Sequence, residues 1–122
     1  MTGYKRNLNL SFVFLAMRDL EAMIEKSFDE HNHGEVIKKL CNTPLLVIDD
    51  LGKERLTSRM ATDLFSIIDE RANTCRATII TTNFIGSALI DRFPGSDKET
   101  GIALVRRLKD YYKIYGIGVD NA

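Results

Sequence analysis

The chain has 122 residues, of which 44% are hydrophobic and 28% charged, and its 17 basic residues balance its 17 acidic ones. This length suits about one domain with a real core, and the zero net charge argues against a dedicated nucleic-acid-binding domain, which is usually clearly basic. The sequence has no run of 18 apolar residues and no cleavable signal pattern, so we expect a cytoplasmic protein that does not associate with membranes.

The first third of the sequence predicts one strand followed by two helices. Residues 10–15 are aromatic and branched, as is typical of a strand. A helix is predicted from Asp19, because apolar residues then recur every three or four positions as far as Phe28. After a polar break at 29–34, a shorter helix carries its apolar residues on one face. Pro44 then opens the next strand.

The most informative pattern is an unbroken apolar run, 45–48, that stops at two consecutive carboxylates, Asp49 and Asp50. A continuous run of this kind predicts a strand buried on both faces, as in a parallel sheet covered by helices. Open sheets of that type bind their ligands at the carboxyl ends of the strands. The two acids therefore have the form of a Walker B element, and the alternative is an ordinary acidic turn.

The clearest helix of the chain follows a loop at 52–56. Thr57 or Ser58 is its predicted N-cap, because a hydroxyl at that position accepts a bond from a free backbone N–H group. The apolar stripe of the helix consists of Met60, Leu64, Phe65, Ile68 and Ala72. Its polar side is predicted to carry Asp63, Asp69, Glu70 and Arg71.

A second apolar strand is predicted at about 77–82, and it ends at Asn83. The rest of the chain predicts, in order, a loop with a short helix, a mobile polar loop, a helix and a last strand, at 84–93, 94–100, 101–110 and 111–115. Strands and helices thus alternate along the sequence. This alternation predicts an α/β layer fold with a mostly parallel sheet.

Three phrases together resemble the DnaC-like helicase loaders of bacteria and phages, which are AAA+ ATPases of DNA replication. They are Leu-Leu-Val-Ile-Asp-Asp-Leu-Gly-Lys-Glu at 45–54, Thr-Thr-Asn at 81–83 and Arg-Arg-Leu at 106–108. The resemblance implies a three-layer P-loop ATPase fold, of which residues 1–122 are a single partial core domain from the Walker B strand to the arginine-finger region. The transposition-helper (IstB-like) ATPases share Ile-Asp-Asp-Leu-Gly and are placed second, since they tend to diverge from the other wording.

The resemblance implies a role for each polar residue at the predicted strand ends. Asp49 would hold Mg²⁺, usually through water, and Asp50 would be the acid beside the attacking water. Asn83 would be the sensor that positions that water against the γ-phosphate of ATP. Arg107 matches the arginine finger, which serves the nucleotide site of a neighbouring subunit, and the adjacent Arg106 is the alternative. The resemblance therefore implies an oligomer with ATP and Mg²⁺ as ligands, and a replicative helicase and single-stranded DNA as partners.

The sequence departs from that family in its phosphate-binding elements. It contains no Gly-x-x-x-x-Gly-Lys-Ser/Thr stretch, and its Gly52-Lys53 pair cannot serve, because Glu54 follows it after the Walker B strand. No arginine occurs in 116–122, where the family has a sensor arginine. The family's phosphate-loop strand lies beside the sensor strand, so we expect 77–82 to have an exposed edge here. Because exposed edges tend to recruit partners, we expect that the sheet is rearranged, that copies of the chain pair with each other, or that the chain is one piece of a longer protein.

Several features of the sequence allow more than one interpretation. The Arg106–Arg107 pair with Lys109 and Lys113 is typical of a solvated helix face, and it also suits contacts to a DNA backbone. The two cysteines lack metal-ligand spacing and are expected to be reduced, buried thiols. For the whole chain, the alternatives to an ATPase core are a non-catalytic module that binds a partner and a truncated reading frame.

Overall fold

The structure, a computed structural model, describes residues 12–116. Its elements in chain order are β1 (Phe12–Ala16), α1 (Met17–Asp29), α2 (His33–Asn42), β2 (Leu45–Leu51), α3 (Ser58–Asn73), β3 (Ala77–Thr82), α4 (Ser87–Ile90), a 3₁₀ turn (Gly95–Asp97) and α5 (Lys98–Tyr111). The predicted α/β alternation is therefore confirmed. The predicted N-cap of α3 is confirmed as well, because the Thr57 hydroxyl accepts a bond from the backbone N–H of Met60.

The three strands form one parallel sheet in the order β1-β2-β3. Leu15, Ile48 and Ile80 lie side by side in this register. Parallel neighbours need crossover connections, and these are right-handed in nearly all proteins. Because both crossovers advance in the same direction across the sheet, their helices α1, α2 and α3 are expected on one face.

The hydrophobic core lies on that helix-covered face. Leu46 and Ile48 of β2 are fully buried there, together with Leu20 of α1 and Leu64 of α3. Each such side chain contributes roughly 1.5–3 kcal/mol through burial. The apolar residues whose spacing predicted these helices are thus the ones that face the core.

The opposite face of the sheet is open in the part of the chain that the structure describes. Phe14 and Ile79 share this face with Val47 by register, and their exposed fractions are 46% and 52%. Val47 itself is only partly buried. The expectation that β2 is buried on both faces is thus wrong within residues 12–116, since a continuous apolar run reports the residues of both faces but not what covers them.

Arg71 contradicts the predicted polar side of α3, because its side chain is fully buried. Its Nη1 donates to the carbonyl oxygens of Leu40 at 2.7 Å and Thr43 at 2.8 Å, around the end of α2. Its Nη2 donates to the carbonyl of Ala77 at 2.6 Å, and its Nε donates to the Thr78 hydroxyl at 2.7 Å. Burial lowers the pKa of this guanidinium. Arg71 therefore fastens α2, α3 and the start of β3 to one another.

Asp63 is the second residue misplaced on the predicted polar side, since it is buried as well. Its Oδ2 lies 2.9 Å from Nε2 of His33, at the start of α2. The His33 ring also stacks on Phe28 with ring centroids 4.1 Å apart. Both misplaced residues find polar partners on α2, which helical periodicity alone cannot reveal.

The C-terminal part differs from the prediction in two places. Helix α5 begins at Lys98 rather than at residue 101, and the ammonium of Lys98 donates to the carbonyls of Ile90 and Phe93. The strand predicted at 111–115 is wrong, because Tyr111 ends α5 and residues 112–116 have no regular structure. Aromatic residues favour strands only where a neighbouring strand offers pairing and packing.

The two cysteines are free thiols in different surroundings. Cys41 is buried, and burial raises the pKa of its thiol. Cys75 is exposed, contrary to expectation. It lies just after α3 with a φ of 56°, where Arg76 N donates to the Arg71 carbonyl and Cys75 N to the Ala72 carbonyl. This is a Schellman motif with cysteine at the position that favours glycine.

Replacing Cys75 with glycine is expected to raise the free energy of unfolding by about 0.5–1 kcal/mol, because glycine adopts this left-handed conformation without a Cβ clash. Urea denaturation of the wild type and the variant measures the difference. The matched control is Cys75→Ala, which keeps the Cβ and should give no gain. Equal gains in both variants would contradict the explanation.

Candidate functional site

The candidate site begins with an irregularity in β2 at the two predicted acids. Ile48 pairs with Ile80 and Leu51 with Thr82, so Asp49 and Asp50 together stand opposite a single residue of β3. This arrangement is a β-bulge, a feature common beside active sites because it re-aims side chains. Asp50 has a φ of 64°, in the left-handed region that aspartate tolerates better than most residues. The strand therefore continues through the acids to Leu51 instead of stopping at them.

Thr81 is the residue that stands opposite the bulge. Its hydroxyl oxygen accepts a hydrogen bond from Asp50 N at 2.9 Å, and the same hydroxyl donates to Oδ1 of Asp49. One side chain thus links the backbone of one acid to the carboxylate of the other. The sequence analysis quoted Thr81 within a motif without giving it a role, and only the register across the two strands identifies it.

Thr82 holds the turn that follows β3. Its hydroxyl donates to the carbonyl of Leu51 at 2.6 Å and accepts from Phe84 N at 3.0 Å. Asn83 lies between these contacts as an exposed residue directly after the strand. Since the carboxyl ends of parallel strands meet at one edge of a sheet, Asn83 and the two acids lie at the same edge.

The loop after β2 is packed tightly against the segment around α4. Gly52 has a φ of 88°, and a Cβ built there would lie 3.0 Å from Cδ2 of Phe84. Nε of Arg92 donates to the Gly52 carbonyl at 2.7 Å, and its Nη2 donates to the Lys53 carbonyl at 3.1 Å. The Arg92 guanidinium also lies over the Phe84 ring. These contacts give the backbone beside Asp50 a defined position.

Arg107 lies elsewhere in the structure. Its Nε is 2.6 Å from Oδ1 of Asp69, an ion pair that connects α5 to α3, with side chains 35% and 28% exposed. The adjacent Arg106 is exposed and has no ion-pair partner within residues 12–116. The structure therefore brings Asp49, Asp50 and Thr81 together at one strand end with Asn83 beyond them, and pairs Arg107 with another residue of its own chain.

Within the described part of the chain, no group of three or more His, Cys, Asp or Glu side chains is arranged to hold a metal ion. The two acids at the β2 bulge are a smaller set. Mg²⁺ in phosphate-binding sites commonly uses one or two protein carboxylates and completes its shell with water and phosphate oxygens. The donor set at the bulge fits that mode of binding. Across residues 12–116, no helix is long and apolar enough to cross a bilayer.

The fold is similar to those of three solved structures. The structure of DnaI is 20% identical with a TM-score of 0.72, over 88% of this chain and 57% of that one. The DnaC helicase loader is 28% identical with a TM-score of 0.60, over 84% and 58%. The replication initiator DnaA bound to AMPPCP and single-stranded DNA is 15% identical with a TM-score of 0.68, over 83% and 29%. The likeness to DnaI and DnaA concerns the fold alone, and it confirms an α/β fold of the P-loop AAA+ type.

Sequence comparison finds one curated relative and one family. The uncharacterized protein YdaV of Escherichia coli (strain K12) is 27% identical over 89 residues, which make up 66% of this chain and 36% of YdaV. The chain thus spans only about a third of that relative. The resemblance to DnaC-like AAA+ proteins is supported by the fold comparisons. Residues 6–120, almost the whole chain, match the family described as IstB-like ATP binding protein, and the chain therefore belongs to that family.

Proposed function

We propose that this chain forms part of the nucleotide site of a DNA-replication ATPase of the DnaC-like helicase-loader type. The observation that supports the proposal best is the β2 bulge, where Asp49 and Asp50 stand together against Thr81 at the carboxyl end of a parallel strand. Ligands of open α/β sheets bind at this edge. Membership of an ATP-binding family and the fold of the AMPPCP-bound initiator agree with a nucleotide ligand.

In this proposal the chain's own residues divide the work at the strand ends. Asp49, oriented by Thr81, would hold a Mg²⁺ ion through water, and that ion would supply positive charge beside the phosphates. Asp50 accepts a hydrogen bond from the attacking water and orients it. Asn83 would position that water against the γ-phosphate. Since the 122 residues contain no Gly-x-x-x-x-Gly-Lys-Ser/Thr stretch, we propose that another polypeptide segment supplies the phosphate-holding loop.

The arginine finger belongs to the same proposal. Arg107 would leave Asp69 to reach the site of a neighbouring copy. Oδ1 of Asp69 is buried, so this release would leave a carboxylate oxygen without its cation, and contacts to the neighbouring copy would have to offset that cost. Arg106 is the alternative, because it is already exposed. For the assembled protein we propose a replicative helicase and single-stranded DNA as partners, in the cytoplasm.

A thermal melt with and without Mg-ATP tests the nucleotide site, both for the chain alone and with a phosphate-loop segment supplied in trans. A ligand present at 100 times its dissociation constant stabilises the fold by about 2.7 kcal/mol, which corresponds to several degrees. We expect this shift with the added segment, and we expect Asp49→Asn to abolish it. The matched control is Asp29→Asn, which changes an exposed acid at the end of α1 and should keep the shift. A cooperative melt whose midpoint temperature does not change with Mg-ATP under either condition would contradict the proposal.

The second candidate function is a non-catalytic module that binds a partner protein. The observation that favours it is the position of β3 at the edge of the sheet formed by residues 12–116, with Ile79 half-exposed. Such a module would bind its partner equally well with and without nucleotide, whereas an ATPase subunit would not. Pull-down of a candidate helicase in the presence and absence of Mg-ATP separates the two functions.

A further inference from the structure

Arg92, in the turn after α4, contacts residues that closely follow both Asp50 and Asn83. Its Nε donates to the carbonyl of Gly52 at 2.7 Å, in the loop that begins after β2. Its guanidinium carbon lies 4.8 Å from the centroid of the Phe84 ring, directly after Asn83. One side chain from a third segment therefore joins the loop after β2 to the turn after β3.

The planar guanidinium of Arg92 suits this connection. Its Nη2 donates to the carbonyl of Lys53 at 3.1 Å, so one rigid group holds two neighbouring carbonyls of the same loop. Among residues 12–116, no carboxylate forms an ion pair with Arg92. Its positive charge is directed instead at carbonyl oxygens and an aromatic face, both of which attract it. A lysine ammonium cannot reproduce this planar set of donors.

The backbone around Arg92 is itself held in place. The carbonyl of Arg92 accepts a hydrogen bond from Leu56 N at 2.9 Å. The next residue, Phe93, is fully buried, and a Cβ built on Gly101 of α5 would lie 3.0 Å from its ring. A group that positions others must have few conformations of its own. Arg92 meets this condition, because its main chain is tied to the loop and its neighbour is packed against α5.

Close packing transmits the position of Arg92 to the loop. A Cβ built on Gly52 would lie 3.0 Å from Cδ2 of Phe84 and 3.4 Å from Cγ of Arg92. The loop backbone, the aromatic ring and the stem of the arginine thus leave no room for a side chain between them. A displaced Arg92 would release the backbone that follows Asp50 and the ring that follows Asn83 at the same time.

We propose that Arg92 is a positioning residue that fixes Asp50 and Asn83 relative to each other. The inference rests on the proposed function, in which both residues act on the attacking water. Arg92 does not contact the nucleotide in this proposal, and Asp49 holds the metal. Its loss should therefore lower the rate of hydrolysis and leave the affinity for Mg-ATP unchanged. A misplacement of about 1 Å can cost about 10²-fold in rate.

The test measures ATP hydrolysis and ATP binding on the same samples of the full chain, with the phosphate-loop segment supplied in trans. Arg92→Met removes the donors and keeps an apolar stem. We expect kcat to fall by about 10²-fold, and KM for Mg-ATP to stay within about twofold of the wild type. The number of ATP-binding sites per chain should not change. A partly unfolded variant would lose binding sites in proportion to its activity, so this count separates positioning from general instability.

The matched control is Arg55→Met. Arg55 joins the same two segments, since its Nη1 donates to the carbonyl of Asp91 at 2.7 Å, but it does so farther along the loop from Asp50. This variant should keep the wild-type kcat. Arg92→Lys keeps the charge without the planar donors, and its kcat should fall between those of the wild type and Arg92→Met. If Arg92→Met does not fold, the lysine variant carries the test.

Amide NMR spectra of the chain without nucleotide report the same geometry. The backbone amide of Asp50 and the side-chain amide of Asn83 should shift in both Arg92 variants, while the amide of Leu64 in the core keeps its wild-type position. Unchanged signals of Asp50 and Asn83, a wild-type kcat in folded Arg92 variants, or an equal loss in Arg55→Met would overturn the inference and leave the proposed function intact. A wild-type assembly that does not hydrolyse ATP would overturn both.

Discussion

Replacing Arg71 with methionine is expected to lower the free energy of unfolding by about 3–5 kcal/mol, the range found when a buried charged group with several partners is removed. The guanidinium donates to carbonyls at the end of α2 and the start of β3, and methionine leaves these acceptors buried without donors. The C-terminal end of α2 also favours a positive charge. Urea denaturation measures the loss.

The matched control for this prediction is Arg76→Met. Arg76 is exposed and makes one bond, from Nη1 to the Asn42 carbonyl at 3.1 Å, so its loss should cost less than about 1 kcal/mol. Arg71→Lys keeps the charge but not the planar set of donors, and it should fall between the two. If Arg71→Met is too unstable to purify, the lysine variant still reports the effect. An Arg71→Met chain as stable as the Arg76 control would show that the buried network contributes nothing.

Under the proposed function, removing the arginine finger is expected to slow ATP hydrolysis by about 10³–10⁵-fold in an assembly that has its phosphate-loop segment, because the guanidinium would stabilise the charge of the transition state. We predict this loss for Arg107→Ala. Steady-state phosphate release measures it. Arg106→Ala is the matched variant one residue away, and it should retain most of the rate. The reverse result would transfer the role to Arg106, which is exposed in the isolated chain.

Mixing variants shows whether the finger acts between subunits. Arg107→Ala chains keep intact acids, and Asp50→Asn chains keep the finger, so a mixture should regain activity that neither variant has alone. Asp69→Ala removes the partner of Arg107 within the chain and should leave the rate close to that of the wild type, since it frees the finger. A mixture without activity would contradict action in trans.

Much of the fold was predictable because local physical rules and the tertiary structure agree there. The apolar run before Asp49 predicted β2, and the apolar stripe after the Thr57 N-cap predicted α3. The predictions failed where the position of a residue depends on contacts with residues far away in the sequence. Helical periodicity places Arg71 on the surface of α3, but its side chain is buried. Its guanidinium donates there to carbonyl oxygens that lie about thirty positions earlier in the chain.

The same distinction holds for the site. The sequence predicts that the two acids and the asparagine after the next strand lie close together, because the carboxyl ends of parallel strands share one edge of the sheet. The bulge is not visible, since it depends on how two separate strands align. That alignment alone brings the Thr81 hydroxyl to both acids.

By itself, the sequence determined the order of elements from β1 to α5, the parallel sheet and the chemical character of the strand ends, because hydrophobic periodicity and capping act over a few residues. The tertiary structure alone decided four features. They are the burial of Arg71, the pairing of Arg107 with Asp69, the hydrogen bonds of Thr81 to both acids, and the irregular backbone of residues 112–116. Each depends on contacts between segments far apart in the chain, and such contacts leave no periodic signal in the sequence.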